Sequence, residues 1–304
     1  MRKNPFQEIY SRETFKKFAT YRFPEIVDVE LTNNCNLNCK MCARQNMTRL
    51  KGFMSKETFE SLAFECIQNN AGVRLIGWGE PFLHPQIVEF CGYVKSQTII
   101  DPLSLKEKSS PVHITTNGQL IKVSQMEELV KIGLDSIIFS MQGATKEGYE
   151  TMRVGSNYDK LKENILKLKE IRGDNEKPFI QISSTMTFET KDEISEFVDY
   201  WGKIVDEVVV GKTQPLEYPK DEYIYYKPCL EVFHKLTVKW DGQVSCCCAD
   251  SNNMLVVGAI GQNTLFNIWN NNQVLDSIRK LLLNNKQRSL SLCKNCTHAY
   301  ESFL

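Results

Sequence analysis

The chain has 304 residues, 42% of them hydrophobic and 24% charged, with 37 basic side chains balanced by 37 acidic ones. These values suit one large globular domain, or one domain with a small appendage, and exclude a global field that would recruit nucleic acid or an anionic membrane surface. No apolar run approaches the roughly 20 residues that span a bilayer, and the start, Met1-Arg-Lys-Asn-Pro-Phe6, lacks the apolar core of a signal peptide. A cytoplasmic location is expected. In that reducing compartment eleven cysteines point to metal binding or redox work rather than to a disulfide framework.

Along the chain, short β-rich runs at 26–31, 73–76, 112–115, 136–139, 179–186 and 207–210 alternate with helical patterns at 55–69, 85–95, 124–132, 158–172 and 192–201. The helix at 158–172 carries an apolar stripe of Leu161, Ile165, Leu168 and Ile171. Ser124 with Glu127 and Thr190 with Glu193 fit the capping-box pattern at two helix starts. Six strands with helices between them predict a parallel sheet, open or barrel-shaped, with the active site at the C-terminal ends of its strands.

Three cysteines follow the first strand directly: Cys35, Cys39 and Cys42, spaced C-x3-C-x2-C. Three thiolates on one loop can hold three corners of a cubane iron–sulfur cluster and leave the fourth iron open, whereas a structural site is normally closed by four ligands. Gly77-Trp-Gly-Glu-Pro81 and Thr115-Thr-Asn-Gly118 leave later strands at the same rim. Glu80 can pair with an ammonium, and Gly77 and Gly79 permit close backbone approach. Residues 97–111 read as a polar surface insertion on the far rim.

The alternation stops near Gly211. Residues 212–228, with Pro215, Pro219 and Pro228, read as a linker or covering loop. Its aromatic run from Tyr218 to Tyr226 is either a lid over the barrel or a packed linker. Beyond it come a hairpin, 235–240 and 243–247, turned at Asp241-Gly242, a helix at 264–284, and Cys293-Lys-Asn-Cys296. The expected division is therefore 1–211, 212–228 and 229–304, the last a separate small module.

On these motifs the chain resembles the radical S-adenosylmethionine (radical SAM) enzymes over nearly its whole length. Cys35-x3-Cys39-x2-Cys42 matches the family signature. Gly77-Trp-Gly-Glu-Pro81 looks like the family's GGEP loop with Trp78 in place of a glycine. Thr116-Asn117-Gly118 and Ser140-Met-Gln-Gly-Ala144 resemble two further strand ends, and Arg153 occupies a place where a related arginine occurs. The resemblance implies a partial (β/α)6 TIM-like barrel, a 4Fe-4S cluster, SAM chelated by the open iron, and a 5′-deoxyadenosyl radical that abstracts a hydrogen atom. It implies that Glu80, Gly77, Gly79, Asn117, Ser140 and Arg153 bind SAM, with Met41 beside the adenine. It also implies an electron donor such as flavodoxin or ferredoxin, while the balanced charge and the lack of a long apolar run predict no nucleic-acid or membrane partner.

The remaining cysteines, Cys229, the triplet Cys246-Cys247-Cys248, and Cys293-x2-Cys296, resemble the shortened SPASM module called twitch, which carries one auxiliary 4Fe-4S cluster. The family places a cysteine five positions after a turn glycine, which from Gly242 is Cys247. The implied ligands are Cys229, Cys247, Cys293 and Cys296, a closed set suited to taking an electron from a substrate radical. If Val244 faces the core, Cys246 shares its side and Cys247 takes the other.

Blander readings stand beside these. Either cysteine set can hold zinc. Cys66 and Cys91 lie in helical register with apolar neighbours and read as core thiols; Cys246 and Cys248 are the better-placed hydrogen donors. His84, His113, His234 and His298 show no metal spacing and read as surface or packing residues, His84 being within reach of the rim. Arg153 has a plain surface reading. The favoured function is dehydrogenation of a secondary alcohol on a sugar- or aminocyclitol-like small molecule. The runner-up is a peptide-modifying maturase or epimerase, although only 34 residues precede Cys35, too few for a peptide-recognition domain. A non-catalytic zinc- or iron–sulfur-binding protein is the reading from another class.

Overall fold

A computed structural model describes residues 2–11, 17–100, 107–212, 224–226, 228–294, 296 and 300–302. Its centre is a nine-stranded sheet. Six strands run parallel in chain order: β1 (Ile26–Val29), β2 (Gly72–Leu75), β3 (Val112–Thr116), β4 (Ser136–Gln142), β5 (Phe179–Met186) and β6 (Glu207–Lys212). Alternation along them separates two faces. Val27, Val29, Val73, Leu75, Ile114 and Ile137 are fully buried in the main core with residues of the covering helices. The opposite, lumen face carries a polar layer in which Asp28 binds Arg74 and His113 binds Ser136.

The helices repeat the expected alternation. They are α2 (Lys56–Gln68), α3 (Ile87–Lys95), α4 (Val123–Lys131), α5 (Lys146–Met152), α6 (Tyr158–Arg172) and α7 (Lys191–Gly202), preceded by α1 (Pro5–Ser11). The stripe on α6 buries Leu161, Ile165 and Leu168. Thr190 and Glu193 form the predicted reciprocal cap, with N–H to oxygen distances of 2.8 and 3.3 Å. The other cap differs. α4 starts at Val123, so Ser124 falls inside the first turn, and it is the Gln125 side chain that accepts the Lys122 N–H at 3.0 Å. Cys66 and Cys91 are fully buried core thiols.

The short helix α1 has no counterpart in the sequence reading. Phe6 and Ile9 pack on Ile26, and Phe6 meets the His113 ring edge-on at 5.5 Å. These contacts lie at the N-terminal ends of the strands, so α1 stops the lumen at the end opposite the cysteine loop.

The C-terminal segment departs most from expectation. β7 (Lys235–Val238) pairs parallel with β1, and β8 (Gln243–Ser245) and β9 (Val256–Ala259) follow antiparallel. Leu236 and Val238 lie opposite Val27 and Val29, and all four are fully buried. The tail is thus continuous with the barrel sheet instead of standing apart. The single helix expected at 264–284 is split into α8 (Leu265–Asn271) and α9 (Gln273–Leu283), because the Asn272 side chain leaves the helix to cap the Leu275 N–H at 2.9 Å. The insertion at 97–111 holds a two-residue ribbon, Ile99–Ile100 against Glu107–Lys108. The aromatic run from Tyr218 lies outside the described residues except for Ile224–Tyr226, which pairs with Tyr300–Ser302. No described helix is long and apolar enough to cross a membrane.

Candidate functional site

The cysteine loop leaves β1 and is tied down at several points. The Asn33 side chain donates to the Leu50 carbonyl at 2.7 Å and accepts the Gly52 N–H at 3.0 Å. Farther on, the Asn38 and Lys40 N–H groups donate to the Val154 and Met152 carbonyls at 2.8 and 2.9 Å. Arg44 reaches back to the Leu37 carbonyl at 2.6 Å.

Cys35, Cys39 and Cys42 are partly exposed on this loop. Burial pushes the Cys35 and Cys39 thiols up. A neighbouring thiol adds to this in each case, Cys39 for Cys35 and Cys42 for Cys39. The side chains are not drawn together: among the described residues no group of three or more His, Cys, Asp or Glu side chains is close enough to hold a metal ion. The donor set nevertheless fits a cluster. The Cys35 and Cys39 thiols resist ionisation, and a metal that takes them as thiolates removes that penalty.

Glu80 forms the second part. Its loop is pressed onto the cysteine loop: the Glu80 N–H donates to the Asn34 carbonyl at 2.8 Å. A Cβ on Gly79 would collide with the carbonyl oxygens of Thr32 and Asn34, so only glycine permits this approach. The Glu80 carboxylate is 2% exposed. It accepts the Thr116 hydroxyl at 2.6 Å, the Asn117 N–H at 2.7 Å and the Phe82 N–H at 3.2 Å. Burial raises its pKa to about 7 against those hydrogen bonds. Two carboxylate oxygens offer about four acceptor sites, so three internal donors leave one for a ligand.

Asn117 joins the two parts. Its side-chain amide donates to Asn36 Oδ1 at 2.9 Å and reaches Cys35 Sγ at 3.9 Å. Arg153 is not a surface arginine. It is half-buried, Nη2 donates to the Met141 carbonyl at 3.0 Å, and Nε is buried with no acceptor among the described residues. Its charge acts on Cys39 and Glu80, and the unmet Nε–H is a donor open to a carboxylate. Ser140 lies half-buried on β4 and Met41 half-buried in the turn between Cys39 and Cys42. His84 belongs to the packing, not the site: Nε2 bonds the Met54 carbonyl at 2.8 Å and Nδ1 accepts the Gln86 N–H at 3.2 Å. Burial lowers its pKa. His113 and His234 are likewise buried, and His298 lies outside the described residues. Thr116, inside the Thr-Asn-Gly motif, carries no local signal that its hydroxyl meets Glu80. Nor was Glu30 expected to meet Arg49, at 2.9 Å, beside the Trp78 N–H, which donates to Glu30 at 3.1 Å.

The second cysteine set gathers in the tail. Burial pushes the Cys229 thiol up to about 12, helped by Cys296 and Cys248. Burial pushes Cys293 to about 11, helped by Cys296. Burial raises Cys247, helped by Cys248, Cys246 and Cys229. Val244 is fully buried and Cys246, 2% exposed, shares its side; that thiol feels Cys293 and Cys229. Cys247 is half-buried and packs against the same core cluster as Val244 and Cys246. Cys248 differs from both: it is exposed, and it lines a lumen cavity with Asp28, Arg74 and Lys239.

The chain matches the model of the radical SAM superfamily over residues 29–201. The SPASM iron-sulfur cluster-binding domain matches residues 229–297. Over 196 residues the chain is 27% identical to a tungsten-containing aldehyde ferredoxin oxidoreductase cofactor-modifying protein of Pyrococcus furiosus, covering 62% of this chain and 51% of that protein. The chain thus spans about half the length of the first curated relatives it matches. Over 276 residues it is 21% identical to the S-adenosyl-L-methionine-dependent 2-deoxy-scyllo-inosamine dehydrogenase of Niallia circulans, covering 90% of this chain and 92% of that one. The crystal structure of Streptococcus suis SuiB bound to precursor peptide SuiA shares the fold, with a TM-score of 0.68 at 17% identity over 91% of this chain and 72% of that one.

Proposed function

The chain belongs to the radical SAM superfamily, and from that premise we propose that it oxidises a small sugar- or cyclitol-like alcohol. Membership implies SAM and a 4Fe-4S cluster, and the SPASM match implies an auxiliary iron–sulfur cluster. When bound, these groups supply a 5′-deoxyadenosyl radical and an acceptor for the electron left on the substrate. Cys35, Cys39 and Cys42 hold the first cluster, and Cys229, Cys247, Cys293 and Cys296 close the second. Glu80 takes the methionyl ammonium of SAM with its remaining acceptor site, and Arg153 Nε–H takes a carboxylate oxygen. Gly77 and Gly79 let the backbone approach, Asn117 and Ser140 complete the polar wall, and Met41 lies beside the adenine.

The observation that carries this reading is Asn117, which binds Glu80 through its backbone and reaches Cys35 through its side chain. The small-molecule substrate is supported by the dehydrogenase that matches both chains almost end to end. A cytoplasmic location and reduction by a flavodoxin or ferredoxin complete the proposal. The test is a screen of deuterated sugar alcohols for label transfer into 5′-deoxyadenosine. Transfer from a carbinol carbon is expected; transfer only from a peptide Cα would contradict it.

One observation favours a second reading. The Cys248 thiol lines the lumen cavity, where it can return a hydrogen atom to a substrate carbon radical, as an epimerase requires. Solvent deuterium retained at a substrate carbon, and lost in Cys248→Ala, would select that reading.

A further inference from the structure

At the C-terminal ends of β1, β2 and β7 the lumen holds a cavity of about 280 Å³, lined by residues that include Asp28, Glu30, Arg74, Trp78, Lys239 and Cys248. Ligand pockets run from about 300 to 1,000 Å³, so this one suits a single ring better than a peptide segment.

Trp78 is the aromatic wall of this cavity, and its backbone is fixed on both sides. A Cβ on Gly77 would come within 2.6 Å of the Glu30 side chain. The Trp78 N–H donates to Glu30 Oε2 at 3.1 Å, and Gly79 lies against the Thr32 and Asn34 carbonyls. The loop cannot swing without breaking these contacts. The Trp78 indole N–H is buried and meets no acceptor among the described residues. Such a donor is costly until a partner arrives, and the cavity that Trp78 lines is where an acceptor can enter.

The charges around the cavity are already matched. Arg74 donates to both Asp28 oxygens, at 2.6 and 2.8 Å. Arg49 faces both Glu30 oxygens, with one hydrogen bond of 3.0 Å and one unaligned ionic contact of 2.9 Å. Lys239 donates to the Asp250 carbonyl at 2.7 Å, and its charge is offset by the Glu30 and Asp250 carboxylates. An ammonium group entering here meets cations and occupied carboxylates. A neutral ring carrying hydroxyls meets an indole face, an unmet N–H and the Thr237 hydroxyl.

We propose that this cavity is the substrate site and that it takes an uncharged polyhydroxylated ring, stacked on Trp78 and hydrogen-bonded to its indole N–H, in preference to an amine-bearing ring. This rests on the function proposed above and departs from the relative whose named substrate carries an amine. Trp78 is then the specificity-determining residue, at a position where the family motif has glycine.

The test is saturation-transfer NMR on the reconstituted full chain with SAM, using myo-inositol, glucose and glucosamine as probes. A neutral ring is expected to bind about tenfold more tightly than glucosamine. Trp78→Phe keeps the stacking face and loses the donor, so it should weaken that binding about three- to tenfold, and Trp78→Ala should weaken it further. The inference is overturned if glucosamine binds as tightly as the neutral rings, if no neutral ring binds, or if Trp78→Ala binds like the wild type. Reductive cleavage of SAM by the wild-type chain is measured alongside. Its absence would sink the radical reading itself, whereas cleavage without ring binding would sink only this inference.

Discussion

The Asn117 N–H lies 2.7 Å from Glu80 Oε2. The same residue's side chain reaches Cys35 Sγ at 3.9 Å, so one loop position couples the buried acid of one strand end to the first cysteine of another.

Glu80 should make SAM binding release a proton. Burial holds its pKa at about 7 instead of the usual 4.5, so near pH 6 the free site is mostly protonated. An ammonium partner favours the carboxylate. Calorimetry in buffers of different ionisation enthalpy should find release approaching one proton per SAM near pH 6, falling away above pH 8 and absent in Glu80→Gln. No release at pH 6 would remove Glu80 from the ammonium site.

The same shift affects stability without SAM. Between pH 4.5 and 7 the folded chain keeps a proton that the unfolded chain gives up. Stability therefore falls as pH rises through that window, by on the order of 3 kcal/mol. His113 acts oppositely. Burial depresses its pKa from 6.5 to about 3, so the unfolded chain binds the extra proton and stability rises with pH across that range. Urea unfolding should show Glu80→Gln steepening the gain with pH between 4.5 and 6.5. An unchanged slope would mean Glu80 is not held protonated.

Gly79→Ala should fail at the junction of the two loops. Its methyl meets backbone carbonyls, which have nowhere to go, and overpacking of this kind costs about 1–3 kcal/mol. We expect a lowered Tm and SAM affinity reduced at least about tenfold. Wild-type affinity in this variant would contradict the packing.

Arg74→Met should leave the buried Asp28 without its partner. Burial opposes the Asp28 charge, and Arg74 outweighs it, holding the carboxyl below its usual range. Removing one member of such a pair costs about 3–5 kcal/mol, whereas removing both is far milder. Asp28→Leu combined with Arg74→Met should recover most of the loss in urea unfolding; no recovery would mean the cost lies elsewhere.

Much of this was legible because it is local. The stripe on α6 and the Thr190–Glu193 cap were readable from residues three and four apart. The parallel strands were readable from apolar runs between helices, and the cysteine spacings carried the resemblance to the two families whose models match. What was missed depends on distant partners. Nothing within 235–238 announces that it pairs with 26–29. The seven residues of α1 are too few for a clear period and matter only because they meet Ile26 and His113. The break at Asn272 comes from a side chain that bonds the Val257 carbonyl, outside its own helix. Thr116 and Glu80 are joined by a strand crossover, and Cys248 reaches the lumen past an irregularity between Val244 and Ser245.

The central claim is tested most directly by anaerobic reconstitution, followed by reduction in the presence of SAM. The account predicts about eight irons per chain and formation of 5′-deoxyadenosine. In the Cys35, Cys39 and Cys42 to Ala variant, the irons should fall to about four and the 5′-deoxyadenosine should disappear. Bound zinc with no cleavage of SAM would contradict it.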